Sequence, residues 1–144
     1  MLGTGEAAGA AGMILIGSTA DPHDPKALRA TMGSFFGQKI VRTSVRDFTA
    51  WIRQHQLSLV GSSPSATRDY REITYAKPMV IMVGNEKQGL SGELIEACAS
   101  LVRIPIARSG VDSLNVAVAA GILLYEAFYQ CRAHSAMNGA VVSR

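Results

Sequence analysis

Two stretches hold the residues best suited to chemistry, Gly84–Ser91 (GNEKQGLS) and Ile104–Asn115 (IPIARSGVDSLN). Each mixes glycine with short polar side chains, and together they supply Asn85, Glu86, Ser113 and Asn115 as hydrogen-bonding groups. No metal-ligating set stands out. The first stretch has the GxxxxG spacing of a phosphate loop, but Leu90 stands where the phosphate-binding lysine belongs and Glu86 would repel phosphate. The dinucleotide pattern GxGxxG also fails, because Gly3–Thr4–Gly5 begins the chain with no strand before it. In the second stretch a polar, Gly-containing loop runs into a long apolar helix starting near Asp112–Asn115. Small residues (Ala117, Ala119, Ala120, Gly121) in its first turns let another backbone approach. The unpaired N–H groups of such a helix start point at whatever lies before it, so a cofactor is expected in this loop.

Other candidates are weaker. His23, in a Pro-containing loop, reads as solvated, His55 as a helix-end dipole contact, and His134 as part of the tail. Met32, Met79 and Met82 read as core filling.

The elements that must position these loops alternate between strand and helix. An Ala-rich helix end at Glu6–Ala11 precedes an apolar run, Met13–Ile16, bounded by Gly12 and Gly17, which fits a strand buried on both faces. Asp24 and Pro25 open a helix over Lys26–Met32, and Lys39–Thr43 is a second strand. Ser44 or Asp47 caps a helix through Phe48–Gln54, with Phe48, Trp51 and Ile52 at helical spacing. Leu57–Val60 is a third strand, followed by a Ser-rich loop over Gly61–Tyr70. Pro78–Val83 is a fourth strand, Ser91 caps a helix over Gly92–Leu101, and Val102–Ile106 is a fifth strand. Strands alternating with helices across short loops predict an α/β domain with a mainly parallel sheet. The expected organisation is a single domain over 1–131 and a polar, frayed tail over 132–144.

Composition fits this reading. The 144 residues are 48% apolar and 17% charged, as in an ordinary globular protein. Between Lys26 and Lys77 nine basic residues face three acids, against five basic and eight acidic elsewhere, a one-sided footprint suited to a phosphate-rich partner. Cys98 and Cys131 read as reduced core residues of a cytoplasmic protein. The start MLGTGEAAGAAG does not read as a signal peptide, and Leu114–Phe128 is too interrupted to span a bilayer.

The motifs as a set resemble a known family. VxxVGNExxGLS, seen as Val80–Ser91, and IPI…GVDSLNVAVA, seen as Ile104–Ala119, are similar to those of the SPOUT methyltransferases, closest to the SpoU/TrmH branch. Asp24-Pro25-Lys26, Arg29-Ala30-Thr31 and Gly33-Ser34-x-Phe36 agree with the same branch. The resemblance implies a Rossmann-like sheet with helices on both faces and a C-terminal deep trefoil knot, an exception to the rule against knots. It implies transfer of a methyl group from S-adenosylmethionine to a ribose 2′-hydroxyl of tRNA or rRNA, by a homodimer packed through the C-terminal helix. The cofactor would be gripped chiefly by backbone at Gly84, Asn85, Gly89, Ile104, Ile106, Ser113 and Leu114. Gly84 allows close approach, and Ile104, Ile106 and Leu114 offer apolar walls for an adenine ring. In the family's scheme Glu86, Ser113 and Asn115 shape the reaction site. Structural roles fit them too: Glu86 accepting loop N–H bonds, Ser113 as an N-cap, Asn115 as a loop-to-helix clamp. Arg29, Arg42, Arg68 and Arg71 are candidate RNA-phosphate contacts.

One part of the family pattern is not matched. Members begin with a strand and N-x-G-x-x-x-R-T-A; here Thr4–Gly9 matches the residues after the arginine, and Gly3 falls on the arginine position. That arginine is thought to hold or activate the ribose hydroxyl. A misplaced start or shortened chain, and a divergent copy that binds cofactor or RNA with impaired turnover, both fit. An unrelated Rossmann-like binding module is the remaining alternative.

Overall fold

A parallel strand can be covered on both faces only if its side chains are apolar in both directions, and Leu59 and Val60 meet that condition at 0% and 2% exposure. They lie in the middle strand of a computed structural model that describes residues 12–16, 39–84, 89–108, 110–111 and 114–138. The expected helices at Glu6–Ala11 and Lys26–Met32, and the N-terminal motif, lie outside the described residues.

The described elements are β1 (Gly12–Ile16), β2 (Lys39–Thr43), α1 (Val45–Gln54), β3 (Ser58–Ser62), β4 (Arg68–Asp69), β5 (Met79–Val83), α2 (Gly92–Ala97), β6 (Ser100–Arg103) and α3 (Val116–Asn138). All pairings are parallel, with β1 on β2 and a second sheet in the order β4-β6-β3-β5. Alternation along the strands sends successive residues to opposite faces. Val60 and Val102 pack with Leu123 and Ala127 of α3, joined by Ile81 and Val83. Leu59 and Met82 pack with Phe48 and Ile52 of α1 and Leu94 of α2, joined by Ile14, Ile16 and Val80. The sheet is therefore helix-covered on both faces, as the sequence predicts.

Side chains end the helices where expected. Ser44 caps α1 by accepting the Asp47 N–H at 3.1 Å, and Ser91 caps α2 by accepting the Leu94 N–H. His55 lies at the C-cap of α1 with its ring 5.9 Å from that of Trp51.

Several boundaries differ from the sequence reading, and β3 runs over Ser58–Ser62 rather than Leu57–Val60. Helix α2 stops at Ala97, not Leu101, because Cys98 turns extended and the Ala99 N–H bonds to the Leu59 carbonyl at 2.8 Å, pulling the chain into the sheet. Strand β6 consequently occupies Ser100–Arg103 rather than Val102–Ile106. Pro105 has no N–H to donate, so 104–106 cannot extend a ladder. The Ser-rich loop holds a short strand, β4, whose Arg68 and Asp69 pair with Val102 and Arg103. In addition, α3 continues through Asn138, past the point where the tail is expected to begin.

A polar clamp fixes the far end of α3. Gln130 accepts the Tyr75 N–H at 3.1 Å and donates to the Ile73 carbonyl at 3.1 Å and to Glu126 at 3.0 Å. The Tyr75 hydroxyl donates to the Tyr70 carbonyl at 2.7 Å. Burial, and then the Glu126 carboxylate, raise the Tyr75 phenol above its ordinary range. Both cysteines are free and half-buried; the Cys98 thiol donates to the Leu94 carbonyl at 3.2 Å, and burial pushes its pKa up.

Gly61 keeps α2 against the sheet. A Cβ there would lie 2.6 Å from the Cys98 sulfur and 3.1–3.2 Å from Leu90 and Leu101 side-chain carbons. Overpacking of this kind costs about 1–3 kcal/mol, so Gly61→Ala is expected to lower stability by that amount in denaturant unfolding. Adding Cys98→Ala removes the closest atom and is expected to restore part of the loss. A cycle with no coupling would refute the contact.

Candidate functional site

In parallel sheets ligands bind beyond the carboxyl ends of the strands. Here β3, β5 and β6 end side by side, because Ser62 pairs with both Val83 and Val102. Each strand end runs straight into a candidate segment: Gly84 after β5 and 104–108 after β6. The start of α3 is brought to the same edge. Gln130 is tied to Ile73 and Tyr75, which precede β5 in the chain, and α3 packs along β5. From Gln130 back to Val116 the helix rises about 21 Å, enough to carry Leu114 and Asn115 past the carboxyl end of a five-residue strand.

The tightest feature of the edge is a backbone crossing. A Cβ on Gly84 would stand 2.6 Å from the Gly89 carbonyl carbon and 2.9 Å from the Leu90 nitrogen. Gly84 and Gly89 thus meet backbone to backbone. Gly89 has φ +64° and Gly110 φ +94°, a left-handed conformation that glycine adopts without strain. Only glycine fits at Gly84, for the close approach the sequence suggests, although what approaches is the chain's own loop.

Ile104, Ile106 and Leu114 are half-buried, and Ile104 packs against the cluster under α3. Apolar side chains of this kind can wall a flat ring while backbone N–H and C=O groups read its edge. Asn115 is exposed and caps α3: its Oδ1 accepts the Ala117 N–H at 2.9 Å and the Val118 N–H at 3.4 Å. Two of the N–H groups expected to face a ligand are thus taken by the chain's own side chain. Asn85, Glu86 and Ser113 lie outside the described residues, as does Arg29. Among the other arginines, Arg42 is exposed on β2, Arg68 on β4, and Arg71 near Glu126 at 4.0 Å.

Ser62 and Ser63 join the edge without having been singled out from the sequence. Ser63 donates its N–H to the Val102 carbonyl at 2.9 Å, and its hydroxyl lies 2.9 Å from that of Ser65. The signal was available: an apolar run giving way to Gly-Ser-Ser-Pro marks a strand end with hydroxyls on it. Among the described residues no group of His, Cys, Asp or Glu could hold a metal ion.

Comparison with known proteins gives these features a context. The SpoU rRNA methylase family model matches residues 1–125. An uncharacterized tRNA/rRNA methyltransferase from Synechocystis sp. is 36% identical over 129 residues, covering 88% of this chain and 46% of that protein. A 23S rRNA (uridine(2479)-2′-O)-methyltransferase from Streptomyces viridochromogenes is 36% identical over 131 residues, covering 87% of this chain and 45% of its own length. The chain thus spans about half the length of these relatives. The crystal structure of an AdoMet-bound rRNA methyltransferase from Sinorhizobium meliloti superposes with a TM-score of 0.82 at 44% identity, over 88% of this chain and 48% of that one.

The cap can be separated from any chemistry at Asn115. Asn115→Ala is expected to lose about 1 kcal/mol in chemical denaturation, whereas Asn115→Asp, which keeps the accepting oxygen beside the helix N-terminus, is expected to lose almost none. Equal losses in both variants would contradict a capping role.

Proposed function

The chain belongs to the SpoU rRNA methylase family, and from that membership we propose that it binds S-adenosylmethionine at the carboxyl edge of β3, β5 and β6 and methylates a ribose 2′-hydroxyl of tRNA or rRNA. The observation that carries this reading is the backbone crossing of Gly84 and Gly89 after β5, at the same sheet edge where the segment bearing Ile104 and Ile106 leaves β6, in a chain whose AdoMet-bound relative shares the fold.

When bound, S-adenosylmethionine supplies an electrophilic methyl group on a sulfonium centre. This chain's part is to hold and orient. Ile104, Ile106 and Leu114 enclose the adenine, while backbone groups at Gly84, Asn85, Gly89 and Ser113 take the polar edges. Glu86, Ser113 and Asn115 shape the acceptor side. Asn115 does so while fixing the start of α3, so the acceptor geometry depends on the same oxygen that ends the helix. The hydroxyl oxygen must align behind the methyl and lose its proton, a positioning task worth orders of magnitude in rate. Arg29, Arg42, Arg68 and Arg71 contact RNA phosphates in this reading.

Two further features belong to the proposal. The segment between β6 and α3 is threaded into a trefoil knot; its support is that β5 and β6 flank β3 on opposite sides while α3 returns to pack on β5. The protein is a homodimer through α3. Val118, Ile122, Tyr125 and Tyr129 form one stripe at helical spacing, opposite the buried Ala120, Leu123 and Ala127, with Val118 52% and Tyr129 62% exposed. An isologous contact would cover that stripe. Among the described residues no helix is long and apolar enough to cross a membrane, and an RNA-modifying role fits the cytoplasm.

Calorimetry is expected to detect S-adenosylmethionine binding to the purified chain, and tritium is expected to pass from labelled cofactor to bulk tRNA or rRNA. A folded chain without cofactor binding would overturn the assignment; cofactor binding without labelled RNA would favour a binding protein with impaired turnover. The double substitution Tyr125→Asp/Tyr129→Asp is expected to give a folded monomer by light scattering, and an unchanged dimer would place the interface elsewhere.

A further inference from the structure

Charge is unevenly distributed around the site edge. Strand β4 ends its sheet beside β6, with Arg68 opposite Val102 and Asp69 opposite Arg103. Arg103 closes β6 immediately before Ile104, and Arg108 lies on the same segment beyond Ile106. Arg68, Arg103 and Arg108 are all exposed, and none pairs with a carboxylate among the described residues.

The described carboxylates of this edge accept hydrogen bonds from the chain itself. Asp69 Oδ1 accepts the Arg71 N–H at 2.9 Å, and Glu72 Oε2 accepts the Asp69 N–H at 3.4 Å. Glu126 accepts from Gln130 at 3.0 Å and lies 4.0 Å from Arg71. These acids build the 69–72 turn and the α3 clamp, and among the described residues none stands within ion-pair distance of Arg68, Arg103 or Arg108.

Helix α2, which closes on the sheet where Leu101 of β6 meets Leu90 and Cys98, has the other sign. It follows the Gly89 crossing and carries exposed Glu93 and Glu96 and no cation. It packs with α1, where Arg46 and Arg53 stand with Asp47, so that this face is close to balanced. A polyanion nearing the cofactor loop meets attraction at β4–β6 and repulsion at α2.

We infer that the phosphate backbone of RNA docks along Arg103 and Arg108, which follow one another on the segment leaving β6, and enters the cofactor loop from the β4–β6 side, while Arg68, in register with Val102, lies on the other face of the sheet. This rests on the RNA methyltransferase reading and deepens it by giving the substrate a direction of approach. Guanidinium groups suit this role because they bind phosphate oxygens in a planar, two-pronged geometry without reading sequence.

The test uses the full chain and a fluorescein-labelled, unmodified tRNA transcript, with anisotropy measured across a salt series. At about 100 mM salt Arg103→Glu/Arg108→Glu is expected to weaken binding at least about tenfold and to make the log–log salt dependence shallower by about 1–2. Arg46→Glu/Arg53→Glu makes the same change of charge on α1 and is expected to stay within about twofold of wild type, since it alters only the long-range field. Arg103→Gln/Arg108→Gln is expected to give a smaller loss of the same sign, which preserves the test if charge reversal lowers the melting temperature. Equal weakening by the β6 and α1 pairs, no effect from the β6 pair, or no RNA binding by a wild-type chain that binds cofactor would each overturn the inference. Failure of the underlying reading would instead appear as absent S-adenosylmethionine binding in calorimetry.

Discussion

Backbone meets backbone where Gly84 passes Gly89, and the geometry of the candidate site depends on that contact. Without side chains at the crossing, β5 can hand the chain to a loop that returns to its own starting point before Ser91 begins α2. The same economy of volume recurs one strand over, where Gly61 lets Cys98, Leu90 and Leu101 close on the sheet. Two side-chain-free positions on adjacent strands thus set how near the loop and α2 lie to the strand ends. The apolar walls at Ile104 and Ile106 are placed by a different device, the Pro105 that ends the ladder after Arg103. Small residues and one proline thus set the shape of the sheet's carboxyl edge.

Much of this was legible in the sequence, for identifiable reasons. Buried parallel strands announce themselves as short apolar runs, and Gly12–Ile16, Lys39–Thr43 and Met79–Val83 emerge within a residue of expectation. Ser44 and Ser91 were readable as caps because a hydroxyl ahead of a helical run has a local partner. The errors fall where tertiary pairing overrode local pattern. Nothing near Ala99 says that its N–H will bond to Leu59, and that bond is what shortens α2 and advances β6. Strand β4 was hidden because two residues carry no period; it exists because Arg103 and Val102 offer a free edge. At the candidate site, Gly84, Ile104, Ile106 and Leu114 were singled out through the family resemblance, and the strand ends that lead into Gly84 and Ile104 do lie side by side. Ser62 and Ser63 were missed because strand β3 runs further than its apolar run.

Helix α3 joins the parts. Its buried face closes the core over Val60 and Val102, its start carries Asn115, and its far end is tied by Gln130 to the segment before β5. The exposed aromatic stripe makes it apolar nearly all round, a pattern that in a small soluble domain calls for cover on the second side. The fixing of the core and the exposed stripe therefore belong to one element.

The order in which the ribosome makes these pieces now matters. Leu123 and Ala127 complete the cluster that Val60 and Val102 begin, and Gln130 secures it. Until the chain has been made past Gln130, one face of β3 and β6 has no lid. The nascent sheet must wait with apolar surface uncovered, a state prone to wrong partners. This protein therefore completes its fold only after residue 130 has cleared the exit tunnel, and a chain cut short within α3 would present that bare sheet face to chaperones and proteases.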